Sequence, residues 1–346
     1  MVTARPDDAD SLLALERLYA ESGDSSALLS ILKKREELSE DGDERKALMF
    51  RQSELLRDPL KRPSDAIAVL EAILDIDVDP KATSQLEELY QGEARHRDRV
   101  TLYERTLDAI ATGDTRHGAA ADLRVRLAGV ARRELSDAPR AFDELALALS
   151  EDEASVGAVA ELESMMADGG ADGDQESRAR AAEMLEPVYL RRGDWKEVEK
   201  TLEARLLASE NPSDRADLLR RLATLQEEQL ENFRGAMDAN ARLLAIDYSD
   251  RSVWSELERL AKVAEQEKVL ADIYASELSK IDSDDETTAE LSKRVGEIYA
   301  DAKLVAPALT WYQRAHRFEP ENEELFRAIE RLLIQEDRHE DRATLL

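Results

Sequence analysis

Apolar residues recur along this chain at intervals of three and four, with charged residues between them, which is the period of a helix buried on one face. In "DLLRRLATLQEEQL" the stripe is Leu218, Leu222 and Leu225, and Arg220, Arg221, Glu227 and Glu228 lie away from it. The same spacing, opened by alanine, recurs as Ala66, Leu70, Ile73, as Ala141, Leu145, Ala148, as Ala236, Asn240, Leu243, and as Ala308, Tyr312, Ala315. Asn240 is the one polar intruder. The pattern predicts about nineteen or twenty helices and no convincing strand. Starts are marked by Asp79-Pro80 and Asn211-Pro212, a capping residue followed by proline at the first helical position.

The alanines that open the stripe fall at positions 66, 141, 236 and 308. A second series, Tyr19, Tyr90, Tyr189 and Leu333, keeps the same rhythm. Both give a period of about 72 residues, or two units of about 36. Each series holds one interval that is too long by roughly one helix and its loop, and the two long intervals overlap only between 141 and 189. The surplus is expected there, with the alternation of inner and outer helices disturbed near 152 to 192. That window holds "ADGGADGDQE" (Ala167 to Glu176), the clearest loop of the chain and the expected first site of internal proteolysis. The expected division is a solenoid segment over 1–167, a Gly/Asp-rich loop over 168–175 and a second solenoid segment over 176–346.

In "APALTWYQRAHRFEPEN" the offsets of four and seven place two small side chains on either side of Tyr312, so a second helix can approach closely. Pro320 is expected to start the next helix. This stretch resembles the tetratricopeptide repeat family: Ala308, Tyr312, Ala315 and Pro320 match the second half of its signature, and Gly296 and Tyr299 in "VGEIYADAK" match its Gly-x2-Tyr segment. Ser292 stands where the family has tryptophan. Elsewhere the repeats are degenerate; the unit containing Ala236 has Thr224 or Ala223 for the glycine and Tyr248 for the proline. The resemblance implies an all-α, right-handed α-α superhelix of about nine to ten helix pairs that binds other proteins along a concave groove. Its groove-facing positions would be Asp217, Arg220, Thr224 and Glu227 in one unit and Glu290, Lys293, Glu297 and Ala300 in another, a mixed to acidic lining. A basic or neutral partner segment follows, and an acidic tail does not.

Composition agrees with an elongated array. The chain has 346 residues, 36% charged and 5% aromatic, and 42% apolar residues supply a continuous core. A formal charge of -29 argues against nucleic acid as partner. The basic clusters "RVRLAGVARR", "RHRDR" and "LRRG" are read as solvated faces with i,i+4 ion pairs. There is no cysteine, no basic leader before an apolar run and no stretch of ~18 apolar residues, so a cytoplasmic protein without membrane contact is expected.

His96, His117, His316 and His339 lack the i,i+4 partner carboxylate or second histidine of a helical metal site and read as exposed or loop-adjacent. No phosphate loop, nucleophile elbow or dinucleotide fingerprint is present. "DSDDE" (Asp282 to Glu286) and "DGGADGDQE" lack the pattern of a calcium loop, and Asp282 or Ser283 reads as a helix cap. No enzyme, metal or cofactor is expected. The expectation is a scaffold or adaptor; its rivals are self-assembly through the solenoid ends and a regulatory arm of an enzyme whose catalytic part lies outside these residues. "RHEDRATLL" (Arg338 to Leu346) is expected to begin a further helix, which makes the chain a fragment of a longer array or one that associates through this end.

Overall fold

In the computed structural model the described residues are 9–114, 119–167, 175–281 and 285–335. Among them the chain forms eighteen α-helices and no strand. Of the loop expected at 168–175, all but Gln175, which starts α10, lies outside the described residues, as do Asp282 and Ser283 and the helix expected from Arg338.

The chain divides into two compact units, 1–164 and 165–346. In the first, α1 (Ala9–Ser22) pairs with α2 (Ser25–Leu38), α3 (Gly42–Arg57) with α4 (Pro63–Ile76), α5 (Pro80–Gly92) with α6 (His96–Ala111), and α7 (Ala120–Leu135) with α8 (Ala138–Glu151); α9 (Val156–Ala167) follows without a hairpin partner. The second unit pairs α10 (Gln175–Arg192) with α11 (Trp195–Ala208), α12 (Pro212–Glu228) with α13 (Phe233–Ile246), α14 (Arg251–Val263) with α15 (Glu267–Leu278), and α16 (Glu286–Asp301) with α17 (Val305–Phe318). It closes its described part on α18 (Glu323–Gln335).

The helix starts follow their capping chemistry. Asp79 Oδ1 accepts from the backbone N–H groups of Lys81 and Ala82, and Asn211 Oδ1 from that of Ser213, so both expected starts are present. At α16 the cap is Asp285, whose carboxylate takes the Thr288 N–H while the Thr288 hydroxyl takes the Asp285 N–H. Pro320 does not start a helix. It lies in the turn after α17, and Asn322 caps α18 by accepting from Glu324 and Leu325. The restriction that proline places on Glu319 ends α17, but a side-chain acceptor decides where the next helix begins.

The alanine stripes are buried: Ala66, Ala141, Ala236 and Ala308 have no exposed surface. Asn240 is buried too, and its Nδ2 donates to the Ala236 carbonyl one turn back at 2.9 Å, which satisfies the polar intruder inside its own helix. Of the two residues that could replace the glycine of this unit, Ala223 is buried and Thr224 is exposed. Ser53, Gly129, Ala223 and Gly296 therefore supply the small buried residue of α3, α7, α12 and α16.

The two units repeat each other. Glu16, Arg35 and Arg51 in the first recur at one constant displacement as Glu186, Arg205 and Arg221 in the second, and both sets form the same ion-paired triad. Gly23 and Gly193, at that displacement, share a φ of 72°, a left-handed turn that glycine adopts without strain. Tyr103 and Tyr274 are fully buried on α6 and α15, and Gly129 and Gly296 occupy matching places on α7 and α16. The surplus between 141 and 189 is thereby explained: α9 is the ninth helix of the first unit, as α18 is of the second, and α10 begins the hairpins anew.

Candidate partner-binding surface

The first helix of each hairpin, with the single helix that follows, carries a ladder of ion pairs. In the first unit Glu16 joins α1 to Arg51 of α3, and Lys81 of α5 reaches Glu54 of α3 at 3.3 Å. Arg126 of α7 meets Glu87 of α5 at 2.9 Å, and Arg132 of α7 meets Glu161 of α9 at 2.8 Å. In the second unit Arg221 of α12 holds Glu186 of α10, and Arg259 of α14 holds Glu227 of α12 at 2.5 Å. Arg251 and Arg294 join α14 and α16 through Glu290 and Glu258, and Lys293 of α16 reaches Glu324 of α18 at 3.2 Å. The basic cluster from Arg124 to Arg133 thus pairs across helices, Arg124 meeting Glu144 and Glu151 of α8, both at 2.8 Å, whereas in "RHRDR" Arg95 pairs locally with Asp98 at 2.6 Å.

Glu16 and Glu186 are the most enclosed members, with side chains 11% and 6% exposed. Burial pushes the Glu16 carboxyl up, but hydrogen bonds from Arg51 and Arg35 outweigh it and hold the group below the usual glutamate value. Asp250, which caps α14, is also held below its ordinary value, mainly by the Ser252 hydroxyl. These carboxylates are charged wherever the chain is folded at neutral pH.

Several of the expected groove residues are members of this ladder. Arg220 pairs with Asp217 at 3.1 Å and with Asp250 at 3.7 Å, and Thr224 donates to the Arg220 carbonyl. Glu227, Glu290 and Lys293 are engaged as described above; Glu297 is exposed. The seven do not line one groove segment. Glu290, Lys293 and Glu297 come together in a concavity of about 570 Å³ formed by α14, α15 and α16. Arg220 and Thr224 lie in a cleft of about 380 Å³ formed by α10, α11 and α12, and Asp217 in a neighbouring concavity of about 940 Å³. Glu227 lines none of these three.

The concavity between α14 and α16 adds residues that sequence reasoning missed. Glu258, Glu267 and Asp301 join Glu290 and Glu297, against Lys262, Lys293 and Arg294, so five carboxylates face three cations. The 940 Å³ concavity has the same balance, including Glu176, Glu183, Glu210 and Asp214.

Other chemistry is sparse. Among the described residues no group of three His, Cys, Asp or Glu side chains could hold a metal ion. His96 and His316 are half-buried rather than exposed; His96 Nε2 lies 3.7 Å from Glu134, and the Nδ1 of each has no hydrogen-bond partner. His117 and His339 lie outside the described residues. Tyr90 of the tyrosine series and Tyr299 of the Gly-x2-Tyr segment each donate to a carboxylate of the preceding helix, Glu71 and Asp272. No described helix is long and apolar enough to cross a membrane.

No protein-family profile and no curated protein matches the chain. Solved structures similar to it include a tetratricopeptide repeat protein from Parabacteroides merdae, 14% identical over 94% of this chain and 98% of that one, with a TM-score of 0.31. Another is the TPR2AB domain of yeast Sti1 in complex with pHSP90, 13% identical over 80% of this chain and 100% of that one, also at 0.31. At such scores neither superposes on this chain as a whole, and no residue role passes from them. By its own hairpins, their period and the small-residue contact of α16 with α17, the chain is a degenerate tetratricopeptide-like array.

Proposed function

We propose that this chain is a non-enzymatic scaffold that binds other proteins, and that the segment it grips is basic. The observation that carries this reading is the excess of five carboxylates over three cations in the concavity between α14 and α16. Most of its cations are already held by the protein's own carboxylates: Lys293 by Glu324, and Arg294 by Glu258 and Glu290. Glu267 and Glu297 are exposed beside them. A partner lysine or arginine entering there meets carboxylates without displacing a buried pair, whereas an acidic tail meets repulsion. The net charge of -29 extends the same bias to long range and speeds the approach of basic segments.

The test is selection from a random peptide library displayed on phage, with the whole chain as bait. Enrichment of lysine and arginine, reduced when Glu267 and Glu297 are both changed to Lys, is the expected result. Enrichment of acidic peptides, or basic peptides whose capture ignores the double reversal, would overturn the placement of the site.

A further inference from the structure

The repetition between the units extends to a cleft beside each triad. In the first unit a cleft of about 270 Å³ between α2 and α3 is lined by Leu28, Leu32, Arg51, Leu55 and Asp58. In the second, the 380 Å³ cleft presents Val198, Leu202, Arg221, Leu225 and Glu228. Each of these five is the counterpart of the first five at the displacement that relates the triads. Both clefts share a floor of three aliphatic side chains, one arginine and one exposed carboxylate. We propose that the chain carries two equivalent docking sites, one in each unit, and binds two copies of one partner segment, an aliphatic side chain of which fills the floor while an adjacent lysine or arginine meets Asp58 or Glu228. The proposal rests on the reading of the partner as a basic segment.

The shared lining sets the ligand chemistry. The volumes fall near or below the lower end of the ~300–1,000 Å³ that accommodate drug-sized molecules, which suits a single side chain. Arg51 and Arg221 are half-exposed, at 46% and 47%, yet each guanidinium is anchored on a buried glutamate. A planar guanidinium fixed at one edge forms a rigid side wall, and its remaining N–H groups can donate to a peptide carbonyl of the segment. At the rim, Asp58 is 62% exposed and touches only its neighbour Arg57, a pair that solvent screens, so a partner cation reaches it without desolvating a buried charge. Arg220, the extra cation of the second cleft, is held by Asp217 and Asp250. Where the clefts differ, at Glu54 against Thr224 and at Pro59 against Gln229, the side chains set relative affinity rather than the kind of ligand.

The probe is an octapeptide of alternating photo-leucine and lysine, titrated calorimetrically into the full chain and then photocrosslinked and mapped by mass spectrometry. The expected result is two equivalents whose crosslinks fall on α2 or α3 and on α11 or α12, beside what the acidic concavity of α14 to α16 takes up. In the Glu267→Lys, Glu297→Lys background, which closes that concavity to cations, the stoichiometry should be two; there Asp58→Lys should remove the first set and Glu228→Lys the second, each halving the stoichiometry, and both together should abolish binding, with thermal midpoints unchanged. One equivalent in that background, or two whose crosslinks avoid these helices, would overturn the proposal and leave the basic-segment reading standing. Absence of saturable binding by this peptide, together with no enrichment of basic peptides from the library, would sink both.

Discussion

Gly296 of α16 lies against the ring of Tyr312 of α17 so closely that a Cβ placed on it would sit 2.7 Å from Tyr312 Cδ1. The contact joins the two halves of the one well-kept repeat. It predicts that Gly296→Ala destabilises by about 1–3 kcal/mol through overpacking, less up to ~1 kcal/mol that alanine gains in helix propensity. Urea unfolding decides the sign. The double variant with Tyr312→Leu should recover part of the loss, and a single variant more stable than the parent would show that the helices do not meet this closely.

Glu186 pairs with both Arg205 and Arg221, and Glu16 with both Arg35 and Arg51. Glu186→Gln should cost roughly 1–3 kcal/mol, below the ~3–5 of a fully buried pair because the arginines can turn to solvent. The matching Glu16→Gln should cost about the same, within ~1 kcal/mol, since the triads are counterparts. Denaturant titration of both variants checks this; a neutral result at one site and a large loss at the other would contradict the equivalence of the units.

Alkaline stability follows from the tyrosines. Burial pushes the Tyr103 hydroxyl up to about 12, helped by its hydrogen bond to Glu87, and Tyr299 is likewise raised to about 12 by burial and by Asp272. An unfolded tyrosine ionises near ~10, so the folded state holds more protons above that pH. Stability should be level below about pH 10 and fall toward pH 12 as the stabilisation is lost. Thermal midpoints across this range should show a shallower fall for Tyr299→Phe; an identical slope would remove Tyr299 from the cause.

Much of the local structure was legible. The stripe of Ala308, Tyr312 and Ala315 and the starts at Asp79-Pro80 and Asn211-Pro212 follow from spacing and capping, both short-range. Pro320 misled because proline excludes a conformation for its predecessor without supplying a helix start, which Asn322 does. The surplus near 141 to 189 was visible as an interval, but its cause was not. The duplication that makes α9 the counterpart of α18 survives in the triads, charged residues whose partners lie 19 or 35 positions away, and a hydrophobic pattern does not weigh these. The same long-range pairing took Arg220, Glu227, Glu290 and Lys293 into the protein's own ladder, leaving Glu297 and the unforeseen Glu267 and Asp301 as the exposed acidic positions of the α14 to α16 concavity.

Entry of a basic segment into the acidic concavity between α14 and α16 is a proposal that association kinetics decide. Stopped-flow association of a library-selected basic peptide is measured at low and high salt on the parent chain and on the Glu267→Lys, Glu297→Lys double variant. The expected parent rate falls roughly 10-fold or more from low to high salt, and the variant is slow and nearly salt-independent, with dissociation changed far less. Association rates that ignore both salt and the double reversal would contradict the proposal.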